Sequence, residues 1–213
     1  MMTKAVIFDL DGTLIDSRKD LTKSVNLMRA HYGLEPLSLD TVCVFIGNGV
    51  RKLAERSLRD TGVDVEEALP IMKKFYLAHM NDATELYSGV KDGLQLLTDE
   101  GIQCGVITNK PHEAAETLLA NLGVAHYFKE IMGGGDRFPL KPEPDALLHF
   151  IKACSANADC SWMVGDHYTD MEAGRRAGLK RCWAAYGFGD PREEQYDFKA
   201  DSFMSFAEKC LND

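Results

Sequence analysis

Five short apolar runs, each broken abruptly at its carboxyl end, constrain this chain more than any other feature. Residues 3–8 (TKAVIF) run straight into Asp9-Leu10-Asp11-Gly12-Thr13, as a buried parallel strand does where the chain leaves its sheet. Residues 102–108 (IQCGVIT), 128–132 (FKEIM), 161–165 (SWMVG) and 181–185 (RCWAA) have the same character. Helical patterns alternate with them. After Pro111, residues Ala114, Ala115, Leu118, Leu119 and Leu122 share one face, and Gly123 stands where a helix exits. Pro144 opens a second helix, with Leu147, Phe150, Ile151 and Cys154 in register. This β-α-β-α alternation from about residue 86 onward predicts an α/β fold, a parallel sheet covered by helices on both faces.

Residues 17–85 follow a different rule. Leu21, Val25, Met28 and Tyr32 keep the helical period, as do Val50, Leu53 and Ala54, and then Leu69, Met72, Tyr76 and Met80. None of these stretches reads as a strand. The expectation is a core of residues 1–16 and 86–213 with an all-helical insertion at 17–85. Charge separates the two: the chain holds 33 acidic and 24 basic residues, net −9, whereas 17–85 holds 10 of each. The core therefore carries the whole deficit, which argues against a nucleic-acid partner, since that needs a basic face. No apolar run approaches the roughly 18 residues of a membrane span. Asp9 also interrupts the first run with no cleavage-site pattern behind it, so a cytoplasmic protein without a membrane partner is expected, a monomer or homodimer. The six cysteines are scattered, with no C-x-x-C, and are expected to be buried and reduced.

Four clusters fall at or just after predicted strand ends, where open α/β sheets place their ligands. They are Asp9/Asp11, Thr108-Asn109-Lys110, Lys141-Pro142-Glu143-Pro144, and Gly165-Asp166-His167-Tyr168-Thr169-Asp170. Each alone has a plain reading: a D-G turn, a helix cap at Thr108 or Asn109, a solvated lysine, a capping acid. Together they place Asp9, Asp11 and Asp166 in one crevice. Carboxylates ~4 Å apart repel by about 4 kcal/mol per pair at an effective dielectric of about 20. A hard divalent cation relieves that, and all-oxygen ligands point to Mg²⁺. Thr108 and Lys141 then supply a donor and a positive charge for phosphate oxygens.

FDLDGTLIDS (8–17), VITNK (106–110), KPEPD (141–145) and GDHYTDMEAGRRAG (165–178) resemble, in order, the four motifs of the haloacid dehalogenase superfamily. The segment 17–85 is similar to its C1-type cap, and the resemblance implies a Rossmann-like core. Within the superfamily the chain most resembles the phosphoglycolate phosphatases, on DGTLIDS, FIGNGVRKL (45–53) and GGGDRFPLKPEPD (133–145). What the resemblance implies is a Mg²⁺-dependent phosphatase acting on a small phosphorylated metabolite, foremost 2-phosphoglycolate. Asp9 would be the nucleophile that forms an aspartyl-phosphate, and Asp11 the general acid and base. Mg²⁺ would be held by the Asp9 carboxylate, the Asp11 backbone carbonyl and Asp166, with Asp170 behind them. Thr108, Asn109 and Lys141 would hold the phosphoryl group; Gly47, Asn48, Gly49 and Arg51 would reach the organic end of the substrate. His167 stands where the family often has serine, and a structural or solvent-exposed histidine is the expectation. Trp162 and Trp183 read as core residues. The alternatives are a phosphomutase similar to β-phosphoglucomutase, a pyrophosphatase or nucleotidase, and a non-enzymatic phospho-receiver domain. Asp11 and the long helical insertion oppose the last.

Overall fold

The most apolar of the five runs becomes the middle of the sheet. In the computed structural model, which describes residues 3–135 and 137–213, strand β1 (Ala5–Phe8) is buried along its whole length. Met1, Met2 and Asp136, the last within the GGGDRFPL stretch singled out above, lie outside the described residues. β1 pairs in parallel with β4 (Gln103–Pro111) on one side and β6 (Trp162–Gly165) on the other, so that Phe8 faces Val106 and Val164. β5 (Phe128–Gly134) lies outside β4, and β7 (Lys180–Ala184) and β8 (Phe198–Ala200) extend beyond β6. All five pairings in this order, β5-β4-β1-β6-β7-β8, are parallel.

Alternation along β1 divides the two faces. Val6 and Phe8 pack with Leu94 of α5 (Val90–Asp99), Leu118 of α6 (His112–Asn121) and Phe203 and Phe206 of α9 (Phe203–Leu211). Ala5 and Ile7 pack with Leu147 and Phe150 of α7 (Asp145–Ala153) and Ala173 of α8 (Tyr168–Arg176). The strand order reverses beside β1: the chain moves out through β4 to β5, then returns to β6 on the other side. The carboxyl ends of β1, β4 and β6 thus border the crevice that such a reversal creates.

Between β1 and β4 lie α1 (Arg18–His31), α2 (Leu39–Cys43), α3 (Val50–Ser57) and α4 (Val65–His79). α1 packs on α2 and α4, and α3 on α4, around Val25, Met28, Val42, Leu53, Ala68 and Met72. This helical segment is entered through β2 (Ile15–Asp16) and left through β3 (Glu85–Leu86), which pair antiparallel, Ile15 opposite Leu86 and Asp16 opposite Glu85. Two-residue strands leave no periodicity to read, and they straddle the position at which the sequence placed the end of the insertion. Asp20, 1% exposed in the first turn of α1, ties the segment's two ends together. Its Oδ2 accepts hydrogen bonds from the Ala83 and Thr84 N–H groups and the Thr84 hydroxyl.

All six cysteines are free thiols; Cys43 and Cys160 are only half-buried, unlike the other four. Trp162 is a core residue, but Trp183 is half-buried and serves the site described next. Among the described residues no helix is long and apolar enough to cross a membrane.

Candidate active site

Asp9 is the first residue past β1, and its N–H still donates to the Val164 carbonyl of β6, which fixes its side chain at the floor of the crevice. Lys141 meets it there. The Lys141 Nζ lies 2.8 Å from Asp9 Oδ1 and 2.7 Å from Asp170 Oδ1, and donates to the Ile107 carbonyl at 2.6 Å. The solvated lysine that this position alone suggests is therefore a buried one, 5% exposed. Burial works against its charge, but Asp170 and Asp9 outweigh it and hold its pKa above the ordinary lysine value.

Asp9, Asp166 and Asp170 each present a carboxylate oxygen within 4.8 Å of the others, and all three residues are buried. Asp166 pairs with no basic side chain among the described residues. Its Oδ2 accepts the N–H groups of Phe188 (3.0 Å) and Gly189 (2.7 Å), and its carbonyl accepts Trp183 Nε1–H at 3.1 Å. Burial, then Asp170 and Asp9, push its pKa well above the carboxylate range. Burial likewise raises Asp9 to about 6, with Lys141 pulling the other way. With all four carboxyls ionised, Asp9, Asp11, Asp166 and Asp170 would face only two ammonium groups, Lys110 and Lys141, an excess of two negative charges that the raised pKa values of Asp9 and Asp166 reflect. That all-oxygen, doubly negative set fits a hard divalent cation. The turn after β1 is shaped to let Asp166 in: Gly12 has φ +82°, and a Cβ there would stand 1.8 Å from Asp166 Oδ2.

The Asp11 carboxylate does not join this triad. Lys110 Nζ donates to both its oxygens (2.8 and 3.0 Å) and Ser17 Oγ donates to Oδ1 at 2.5 Å. Ser17 precedes α1, yet its side chain makes no cap to that helix. Lys110 is 5% exposed and lies over the ring of Tyr76, its Nζ 4.7 Å from the centroid.

Thr108 is 5% exposed at the end of β4, and its Oγ1 accepts the Lys110 N–H. Neither it nor Asn109 caps α6, whose N-cap is Pro111 because β4 runs on through that residue. The Asn109 side-chain amide is taken up by backbone groups. Its Nδ2 donates to the Gly47 and Lys141 carbonyls (2.9 and 3.0 Å) and its Oδ1 accepts the Lys141 N–H at 2.8 Å. It fastens the Lys141 segment and the α2–α3 loop to β4.

In that loop Gly47 and Gly49 line the crevice. Gly47, with φ +106°, lies against the His167 ring, where a Cβ would come within 2.8 Å. Asn48 turns away: its Nδ2 donates to the Tyr168 hydroxyl and its Oδ1 accepts from Arg56. Arg51, expected to reach the substrate, is 51% exposed and pairs with Glu66 of α4. Val50, Leu53 and Ala54 hold the inner face of α3, so the residue about 100° on from Val50 faces solvent. His167 is buried rather than solvent-exposed. It caps α8, its N–H donating to Asp170 Oδ2 and its Nδ1 2.9 Å from Thr169 Oγ1. Burial lowers its pKa to about 4, so the ring is neutral at neutral pH.

Asp9, Asp11, Thr108, Lys110 and Tyr76, with an apolar wall that includes Leu21, Leu53 and Met72, enclose a cavity of about 40 Å³. Sequence reasoning named Lys110 in its cluster without giving it a role, and missed Ser17, Trp183 and the Phe188–Gly189 turn. The last was within reach, because Gly187-Phe188-Gly189-Asp190 follows the fifth apolar run as the other clusters follow theirs.

Comparison with known proteins completes the picture. The haloacid dehalogenase-like hydrolase family matches residues 6–184, helical segment included, a span that sets the receiver alternative aside. The chain is 36% identical over 197 residues to phosphoglycolate phosphatase 1 of Pseudomonas aeruginosa, covering 90% of this chain and 72% of that one. It is also 36% identical over 215 residues to a phosphoglycolate phosphatase of Chromobacterium violaceum, covering 98% and 97%. The crystal structure of a predicted phosphoglycolate phosphatase from Haemophilus somnus matches with a TM-score of 0.89 at 26% identity, over 98% of both chains. With the acidic strand ends in this order and this fold around them, the chain belongs to the haloacid dehalogenase-like hydrolase family.

Proposed function

We propose that this haloacid dehalogenase-family phosphatase hydrolyses 2-phosphoglycolate, with Mg²⁺, through a phosphoryl group carried on Asp9. The observation that carries the reading is the setting of Asp9. It is a buried carboxylate paired with Lys141, 4.8 Å or less from Asp166 and Asp170, at the floor of a cavity of about 40 Å³. The names of the relatives support the same substrate. Residues 17–85 act as the cap that closes over it.

When bound, Mg²⁺ offsets the charge of the carboxylates and of the phosphoryl oxygens. Asp9, Asp166 and Asp170, whose carboxylates converge, would hold it. An Asp9 oxygen attacks phosphorus, and the bond to the leaving alkoxide breaks. Asp11, protonated for that step, gives its proton to the alkoxide oxygen. As a carboxylate it then takes a proton from water, whose oxygen attacks phosphorus while the bond to Asp9 breaks. Phosphate leaves and Asp9 is restored. Lys110 and Ser17 fix the Asp11 carboxyl in position for both steps. Lys141 holds Asp9 in place, and the Thr108 hydroxyl is placed for a phosphoryl oxygen.

Phosphate release from 2-phosphoglycolate, sugar phosphates, nucleotides and pyrophosphate, with and without Mg²⁺, tests the reading. The expected result is Mg²⁺-dependent release, fastest from 2-phosphoglycolate and lost in Asp9→Asn. Wild-type turnover by Asp9→Asn sinks the mechanism; phosphoryl return to a sugar establishes the phosphomutase instead.

A further inference from the structure

We propose that Lys110 and the Tyr76 hydroxyl form the subsite that binds the substrate's carboxylate, so that the contact between the end of β4 and α4 selects carboxylate-bearing phosphomonoesters. This rests on the phosphatase reading above and adds what it leaves open, the residues that choose the organic end.

The first argument is one of charge. Asp9 and Asp11 line the cavity, and most of its remaining wall is apolar, so a second anionic group on a substrate meets repulsion and few protein donors. Lys110 is the one basic side chain lining it among the described residues. Lys141 lies beneath, taken up by Asp9, Asp170 and the Ile107 carbonyl, and Arg51 is outside on Glu66. An ammonium has three donors, and the two Asp11 oxygens occupy two of them.

The second argument is an unmet hydrogen bond. Tyr76 is 4% exposed and lines the same cavity; its hydroxyl oxygen lies beside the Lys110 ammonium, from which it can only accept, so its own proton has no acceptor among the described residues. A buried O–H donor without an acceptor is costly, and a ligand oxygen entering the cavity satisfies it. Carboxylate oxygens accept only, which suits a site made of an ammonium and a phenol.

Thr108, at the phosphoryl end, and Lys110 line the same cavity, so one small substrate can meet both; a phosphorylated sugar without an acid brings no anion to Lys110.

The test compares kcat/KM for 2-phosphoglycolate with kcat/KM for 2-hydroxyethyl phosphate, which carries an alcohol in place of the acid. The wild-type ratio is expected to favour the acid strongly. Tyr76→Phe should lower that ratio by about tenfold, and Lys110→Met by more, with part of it recovered in Lys110→Arg. Because Lys110 also holds Asp11, the ratio is the readout rather than either rate. Competitive inhibition gives a second measure without turnover: glycolate should weaken against Tyr76→Phe more than orthophosphate does, which keeps the test open if Lys110→Met does not fold. A wild-type ratio near one overturns this assignment together with the substrate reading. A selective wild type whose Tyr76→Phe variant keeps the ratio and the glycolate inhibition within twofold overturns this assignment alone.

Discussion

Replacing Gly12 by alanine perturbs the proposed metal site while leaving every charge in place. The new Cβ would lie 1.8 Å from Asp166 Oδ2 and 2.4 Å from its Cγ, whereas Cβ contacts below 3.0 Å are essentially never seen. The carboxylate must therefore retreat by about 1 Å, a displacement that costs on the order of 100-fold in rate when it falls on a reacting or ligand group. Asp166 has little room to yield. Its Oδ2 is already held by the Phe188 and Gly189 N–H groups, and each such bond to a charged acceptor contributes about 1.5–3 kcal/mol. The backbone adds its own cost, since alanine in the left-handed region at φ +82° loses about 1–2 kcal/mol. At roughly 2–4 °C per kcal/mol for a chain of this size, Tm should fall by at least about 2–8 °C. Phosphate release should show kcat/KM down by about 100-fold, and calorimetric titration should show Mg²⁺ binding weakened about tenfold or more, close to an Asp166→Asn reference. A folded Gly12→Ala protein with Mg²⁺ affinity within twofold and kcat/KM within threefold of wild type would refute the placement of Asp166 at the metal.

Three further outcomes follow from the same geometry. Asp9, raised to about 6 by burial, holds a proton below that pH in the folded chain but not in the unfolded one until about 3.8. The metal-free protein should therefore gain stability from Asp9 as pH falls through 6, while Mg²⁺ affinity drops by about tenfold per pH unit there; titrations at about pH 7.5 and about pH 5 that give equal affinity contradict this. Lys141→Met leaves Asp9 and Asp170 buried without their cation, so urea unfolding at neutral pH should show a loss of about 3–5 kcal/mol, partly recovered at about pH 5; a pH-independent loss removes the charge explanation. Arg51→Ala should change KM for 2-phosphoglycolate by less than about twofold, and a tenfold rise in steady-state assays would return Arg51 to the substrate.

The residues that converge on the crevice were readable wherever an apolar run stops at a polar cluster, since strand ends are where side chains can leave a sheet. Asp9, Thr108 and Asp166 emerge by that rule alone. What the chain order hides is which charges meet. Asp11 and Lys110 touch because β1 and β4 pair with Phe8 opposite Val106, a register that no local pattern states. Asn109 shows what residue type leaves open: an amide that can hold a phosphoryl oxygen can equally fasten three backbone groups, and here it does. Trp183 misled because strand alternation does not distinguish an indole packed in the core from one whose N–H holds the Asp166 carbonyl. Arg51 was decidable in advance, because the apolar phase of Val50, Leu53 and Ala54 already turned it outward.

The antiparallel contact of Asp16 with Glu85 has a consequence for descent. Residues paired across such strands have Cα atoms about 5 Å apart, so everything between them is topologically one excursion from a closed hairpin. The entropy of such an excursion grows only with the logarithm of its length. Its contents can therefore be lengthened, shortened or exchanged with little effect on the β1–β4 crossover. On the proposed reading, the sheet residues that break the phosphate ester and the helical segment that admits a particular ester can diverge at different rates, and the contact of Lys110 with Tyr76 is where changes in the two must agree.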